Sequence, residues 1–215
     1  MSFFLLAFPA LFAIVNPIGG AFVFMAATER MDVVLREHLA RWVAIHSLII
    51  LNASIYIGAY VLEFFGISLP VLRVAGGIVI ALSGWRALDS PEGKSEQQAI
   101  GEADLKAASR IAFFPLTMPI TAGPGAISVA VALGTSRPTK ATELIVFLIG
   151  VTGVTAAIGA IVYALYRNAS RVAELIGPTG TSIVVRLLSF VLFCIGIQVL
   201  WSGVAALVAG LRVTT

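Results

Sequence analysis

Two clusters of proline, glycine and small polar residues carry most of the chemistry this chain can offer. One is Asn16-Pro17-Ile18-Gly19-Gly20-Ala21; the other runs from Pro115 through Pro119 and Thr121 to Gly123-Pro124-Gly125-Ala126. Both lie deep in stretches free of Asp, Glu, Lys and Arg, residues 1–28 and 111–136. An interior proline removes a helical donor and clashes with the preceding turn, at ~3 kcal/mol or more. Adjacent glycine lets the backbone leave helical angles. A helix interrupted in this way exposes N–H groups where its second half starts and carbonyls where its first half stops, each with the matching dipole charge. Two interruptions supply four such ends. Together they can hold a zwitterion, carboxylate on N–H groups and ammonium on carbonyls, with no charged side chain. In lipid the freed backbone groups must face protein or a water-filled cavity, and paired Gly/Pro interruptions in two halves of a chain point to a transporter's substrate site.

The elements that must position these clusters are membrane helices. Of 215 residues, 59% are hydrophobic and only 12% charged; mean hydropathy is +1.01. A soluble domain carries roughly 25% charged residues. Besides the two stretches above, residues 42–62, 144–166 and 187–211 are free of charge, and each reaches the ~20 residues that cross a hydrocarbon core. Residues 70–85 form a sixth expected span, with Arg73 near its start and Arg86 just beyond; basic side chains at helix ends can reach the headgroups. No Lys or Arg precedes Arg30, so the first stretch lacks the basic start of a cleaved signal peptide. Cys194 is the single cysteine, which excludes an intramolecular disulfide. The net charge of +3 reads as basic cytoplasmic loops rather than a nucleic-acid surface.

Five connections are expected, at residues 30–41, 64–69, 87–110, 137–143 and 167–182, the first of them helical. With the N-terminus outside, the cytoplasmic connections and their flanks hold Arg30, Arg36, Arg41, Arg86, Lys94, Lys106, Arg110, Arg167, Arg171 and Arg186; the other side holds Arg73, Arg137, Lys140 and Arg212. That imbalance places both termini outside under the positive-inside rule. The expected fold is therefore all-α and membrane-integral, with six transmembrane helices in two three-helix repeats. Residues 1–88 form the first repeat, 89–110 a cytoplasmic linker and 111–215 the second. Arg73 and Arg186 lead matching apolar runs, and the clusters at Asn16 and Gly123 correspond. An odd number of spans per repeat inverts the second relative to the first.

The segments FPALFAIVNPIGGAFVF, beginning at Phe8, and FPLTMPITAGPGAIS, beginning at Phe114, resemble the two signature stretches of the MarC family. That family sits with the LysE-like transporters and includes SnatA-type carriers of small neutral amino acids. The resemblance extends over the whole chain, and the Pro-x-x-x-Pro-x-x-x-Gly-Pro-Gly-Ala-Ile-Ser run is specific. It implies a six-helix inverted repeat in a bacterial or archaeal cell membrane, with substrate between broken first and fourth helices. The residues carried over are Asn16, Pro17, Gly19, Gly123, Pro124 and Gly125. Relatives often place a further proline where this chain has Phe22, a change that can reshape the site.

Other polar residues have two readings each. Asn52 and Ser54, mid-span, serve as interhelical glue or touch substrate. Thr117 and Thr121 recapture carbonyls freed by the prolines or present hydroxyls to substrate, with Thr121 assigned to the site. Ser128, one turn past Gly125, and Gly20 complete the candidate list. Gln198 reads as glue, Gly76 as a helix-packing glycine and His46 as interfacial. The expected function is secondary transport of a small zwitterionic amino acid, glycine or alanine in type, by alternating access, with a coupling ion and no cofactor. The alternative is a channel for a small neutral solute. An intramembrane enzyme is not expected, because no paired Asp, Ser–His or HExxH cluster lies within the spans.

Overall fold

The structure, a computed structural model, describes residues 2–28, 31–89, 110–138 and 140–213. The regular elements among them are all helical. They are α1 (Ser2–Val15), α2 (Pro17–Ala27), α3 (Val33–Phe64), α4 (Leu69–Asp89), a π-helical segment π1 (Ala112–Thr121), α5 (Pro124–Gly134), α6 (Ala141–Arg167) and α7 (Ala169–Val213). The expected linker at 89–110 lies, apart from its two ends, outside the described residues.

Five stretches are long and apolar enough to cross a membrane: Ala7–Met25, Val33–Phe64, Leu69–Asp89, Ala141–Arg167 and Thr179–Gly210. The third, shortened in sequence by Arg73, reaches full length because its helix continues to Asp89. The stretch 111–136 is interrupted, as its prolines and glycines lead one to expect. It is split into π1 and the 11-residue α5, and neither piece crosses alone.

Asp32 starts α3 by accepting a hydrogen bond from the Leu35 amide at 2.6 Å, a side-chain N-cap. At 1.5 Å per residue its 32 residues extend ~48 Å, well beyond a ~30 Å hydrocarbon core. The surplus accommodates Arg36, Glu37, His38 and Arg41 outside the apolar layer. Gly66 turns the chain into α4 with φ 66, a left-handed angle open to glycine at no steric penalty. The connection expected at 167–182 is instead largely helical. From Ala169 onward α7 departs from helical angles at Gly177 (φ 73, ψ 170), again a conformation that favours glycine.

The buried core is built mainly from α1, α2, α3, π1, α5 and α6, around Leu11, Phe24, Leu39, Val43, Leu51, Leu116, Ala130, Val154, Ile158 and Tyr166. The elements pack in a reciprocal pattern: α3 lies on π1 and α5, while α6 lies on α1 and α2; α4 meets α5, while α7 meets α2. The tightest pair is α4 with α7. A β-carbon at Gly77 would lie 2.7 Å from Leu200 Cα, one at Gly84 2.8 Å from Phe193 Cα and one at Gly196 2.6 Å from Ala81 Cα. Residues rising along α4 meet residues falling along α7, so the pair is antiparallel. Close backbone approach at small residues is how helices associate where lipid removes the hydrophobic drive.

Candidate functional site at the two helix breaks

The first break is a single residue. Asn16 has φ 46 and ψ 59 and is the one non-glycine with positive φ among the described residues. Asparagine tolerates the left-handed region, and Pro17 disfavours the right-handed helical region for the residue before it. Helical bonding resumes on both sides, with Asn16 N–H on the Phe12 carbonyl at 2.9 Å and Gly20 N–H on the Asn16 carbonyl at 2.8 Å. The Asn16 side-chain oxygen accepts from Gly19 N–H at 3.2 Å. Asn16 therefore caps α2 with its own side chain. Pro17 and Phe22 are buried and Gly19 half-buried. A β-carbon at Gly19 would lie 2.6 Å from Asn16 Nδ2.

The second break is longer, and its prolines explain its shape. Phe114 (φ −130, ψ 123) and Met118 (φ −116, ψ 117) are extended inside π1; each precedes a proline. Gly123 (φ −78, ψ 179) precedes Pro124 and is extended as well. The clash between a proline ring and the preceding residue produces this preference. Wide turns result, closed by bonds five residues long. Ala122 N–H donates to the Thr117 carbonyl at 2.8 Å, the Thr117 hydroxyl to Ala112 at 2.6 Å and the Thr121 hydroxyl to Leu116 at 2.8 Å. Both threonines thus recapture carbonyls.

Beyond this break α5 starts with Pro124 in its first turn and no side chain capping it. The backbone amides of Gly125 and Ala126 open α5, and both residues are buried. This is the stronger positive end of the two, because Asn16 already serves α2. The Ser128 hydroxyl donates to the Gly125 carbonyl at 2.8 Å. Gly76 of α4 packs directly on the Ser128 side chain, and a β-carbon there would lie 3.9 Å from Gly125 Cα. The packing role expected for Gly76 is therefore exercised at the second break itself.

Asn52 lies apart from both breaks in its hydrogen bonding. Its amide nitrogen donates to Leu48 and to the Thr155 hydroxyl of α6, both at 2.8 Å. Its Oδ1 is buried with no hydrogen-bond partner among the described residues. Ser54 bonds its own helix at Ile50, 2.7 Å away. Gln198, expected as glue, is exposed on α7. His46 sits in an aromatic column, 5.4 Å from Trp42 and 5.5 Å from Phe113 between ring centroids.

One residue that the sequence did not single out joins the two breaks. Tyr166, near the end of α6, is fully buried. Its hydroxyl lies 2.8 Å from Thr121 Oγ1 and occupies the place a β-carbon on Gly20 would take. The Thr121 proton is committed to Leu116, and a hydroxyl has one proton to give; Tyr166 is therefore the donor. Its ring packs on Phe24 of α2 at 4.8 Å. A tyrosine beside Arg167 at a span end reads in sequence as an interface anchor, and no local signal reveals its burial. Among the described residues no His, Cys, Asp or Glu side chains gather as a metal-binding group.

An all-helical chain with several apolar spans and two interrupted segments is an integral membrane protein of a recognisable class. The model of the MarC family of integral membrane proteins matches residues 1–208, and the chain belongs to that family. It is 29% identical over 206 residues to the inner membrane protein MarC of Escherichia coli, covering 92% of each chain. The identity and coverage are the same for the inner membrane protein MarC of Shigella flexneri. No solved structure matches the chain. The protein is accordingly a multi-pass protein of the cell inner membrane.

Proposed function

We propose that this protein is a secondary transporter of small neutral amino acids, glycine or alanine in type, working by alternating access. Substrate is held near the midplane by the ends of the two broken helices, with Asn16, Pro17, Gly19 and Gly20 on one side and Thr121, Gly123, Pro124, Gly125 and Ser128 on the other. Asn52 joins through its buried oxygen, which has no hydrogen-bond partner among the described residues. The observation that carries this reading is the start of α5. A helix begins beside buried Gly125 and Ala126, with Pro124 exposed and, among the described residues, no side chain capping its first amides, an arrangement that suits a carboxylate. The ligand is accordingly a small zwitterion, driven by an ion gradient, and the protein is not an enzyme.

The reading includes six spans in two inverted repeats, with the broken 112–134 segment as the fourth and both termini outside. It is supported by the reciprocal packing, in which α3 relates to π1 and α5 as α6 relates to α1 and α2, and by the antiparallel α4–α7 pair. Counterflow in proteoliposomes loaded with single amino acids tests it. Saturable exchange of glycine or alanine is the expected result; flux without trans-acceleration would point to a channel instead.

A further inference from the structure

We infer that Tyr166 is a positioning residue that couples the two broken helices, so that α2 and π1 open and close the arginine-rich end of the pathway as one unit. The inference deepens the transporter reading and rests on it. A tyrosine ring in a core needs no hydroxyl to pack, and a buried hydroxyl without a partner is unfavourable. Here the hydroxyl is bonded to Thr121, its one hydrogen-bond partner among the described residues, and that threonine in turn closes the wide turn of π1 at Leu116. The same oxygen rests against Gly20, and the ring rests on Phe24. One side chain from α6 thus fixes the distance between the continuation of the first break and the approach to the second.

The polar contacts around Tyr166 tie several helices together at the arginine-rich end. Beside Tyr166, Arg167 pairs with Glu37 at 3.0 Å, and the Tyr163 hydroxyl donates to the same carboxylate at 3.3 Å. Arg36 donates to the Thr28 carbonyl at the end of α2 at 3.1 Å and to Ser170 of α7 at 2.5 Å. A guanidinium on a helix C-terminus is well placed for the dipole. At the opposite end of α3, Tyr60 and Arg137 meet at 2.7 Å with both side chains exposed. The Arg167–Glu37 pair is as open to its surroundings as the Tyr60–Arg137 pair; what sets the arginine-rich end apart is the buried layer of Thr28, Thr121 and Tyr166 just beneath it. Of these, Tyr166 touches both broken helices.

Hydrogen–deuterium exchange of the full chain in lipid nanodiscs, without substrate, tests this separately from any choice of substrate. Tyr166→Phe keeps the ring and removes the hydroxyl; Thr121→Val removes its partner; Thr121→Ser restores the hydroxyl. Tyr166→Phe should raise exchange about five-fold in residues 17–28 and 112–123 together, the factor implied by one neutral hydrogen bond, and Thr121→Val, which also loses the bond to Leu116, should raise it further in the same two segments. Thr121→Ser should return both segments to wild-type protection. In counterflow, Tyr166→Phe should change the maximal exchange rate with little effect on KM. Loosening confined to α6, or spread evenly over all helices, would overturn the coupling role. If Tyr166→Phe does not fold, the Thr121→Val and Thr121→Ser pair decides the question by the same criterion. Wild-type protein that exchanges no amino acid, while the protection pattern holds, would refute the transport reading alone.

Discussion

Replacing Gly20 with alanine places a β-carbon where the Tyr166 hydroxyl now sits. The ring cannot simply retreat, since it packs on Phe24 at 4.8 Å and its hydroxyl is bonded to Thr121 at 2.8 Å. Overpacking of this kind destabilises by about 1–3 kcal/mol, and displacing the hydroxyl forfeits about 1 kcal/mol of hydrogen bond. Alanine recovers about 0.5–1 kcal/mol of helix preference over glycine. The steric terms win, leaving Gly20→Ala less stable by about 1–3 kcal/mol. Tyr166→Phe makes room. With the oxygen gone, the ring atom nearest the new β-carbon is the former Cζ, at 3.2 Å, a tight contact that a small shift relieves. Tyr166→Phe alone strands no donor, because Thr121 still donates to Leu116, and should cost about 1 kcal/mol. The double variant should therefore be at least as stable as Gly20→Ala alone, with a favourable interaction of about 1–2 kcal/mol between the two sites. Thermal unfolding of the four proteins in one detergent, followed by loss of monodisperse protein, measures the cycle. Additive losses would refute the placement of the Tyr166 hydroxyl against Gly20.

The breaks themselves give a second expectation. Gly19→Leu and Gly123→Leu should each abolish transport while protein still folds in membranes, whereas Gly153→Leu, with open space around its β-carbon position, should transport normally; transport normalised to folded protein checks this. Gly77→Leu must force α4 off α7, where a β-carbon already lies 2.7 Å from Leu200 Cα, and should reduce folded yield rather than substrate affinity in the protein that survives. Tags at the two termini should both react with impermeant reagents added outside intact cells; cytoplasmic labelling of either end would sink the six-span topology. Amide or ester derivatives of the substrate should compete poorly in counterflow, and strong inhibition by them would exclude a carboxylate on the α5 amides.

Local rules account for what was legible in the sequence. Run length and absence of charge marked the apolar helices, because a membrane sets one length scale that any span must meet. Proline marked both interruptions and even the residues that distort, since the clash at Phe114, Met118 and Gly123 is with the next residue in the chain. The helical start at Asp32 and the turn at Gly66 are equally local. The segment 167–182 misled for the opposite reason: its polar composition resembles a loop, yet only Asn168 and Gly177 leave the helix, since composition is a weak guide to helical state. Three features belong to the tertiary structure alone. The register of α4 on α7 depends on which glycine meets which backbone across more than 100 residues. Asn52 had two readings in sequence, and the position of Thr155 on a different helix fixed its nitrogen as interhelical glue. Tyr166 became a link between the breaks only when α6 crossed α2 and π1. Residue type and spacing determine where a backbone can bend; which distant side chain then fills the gap is decided by how the helices pack.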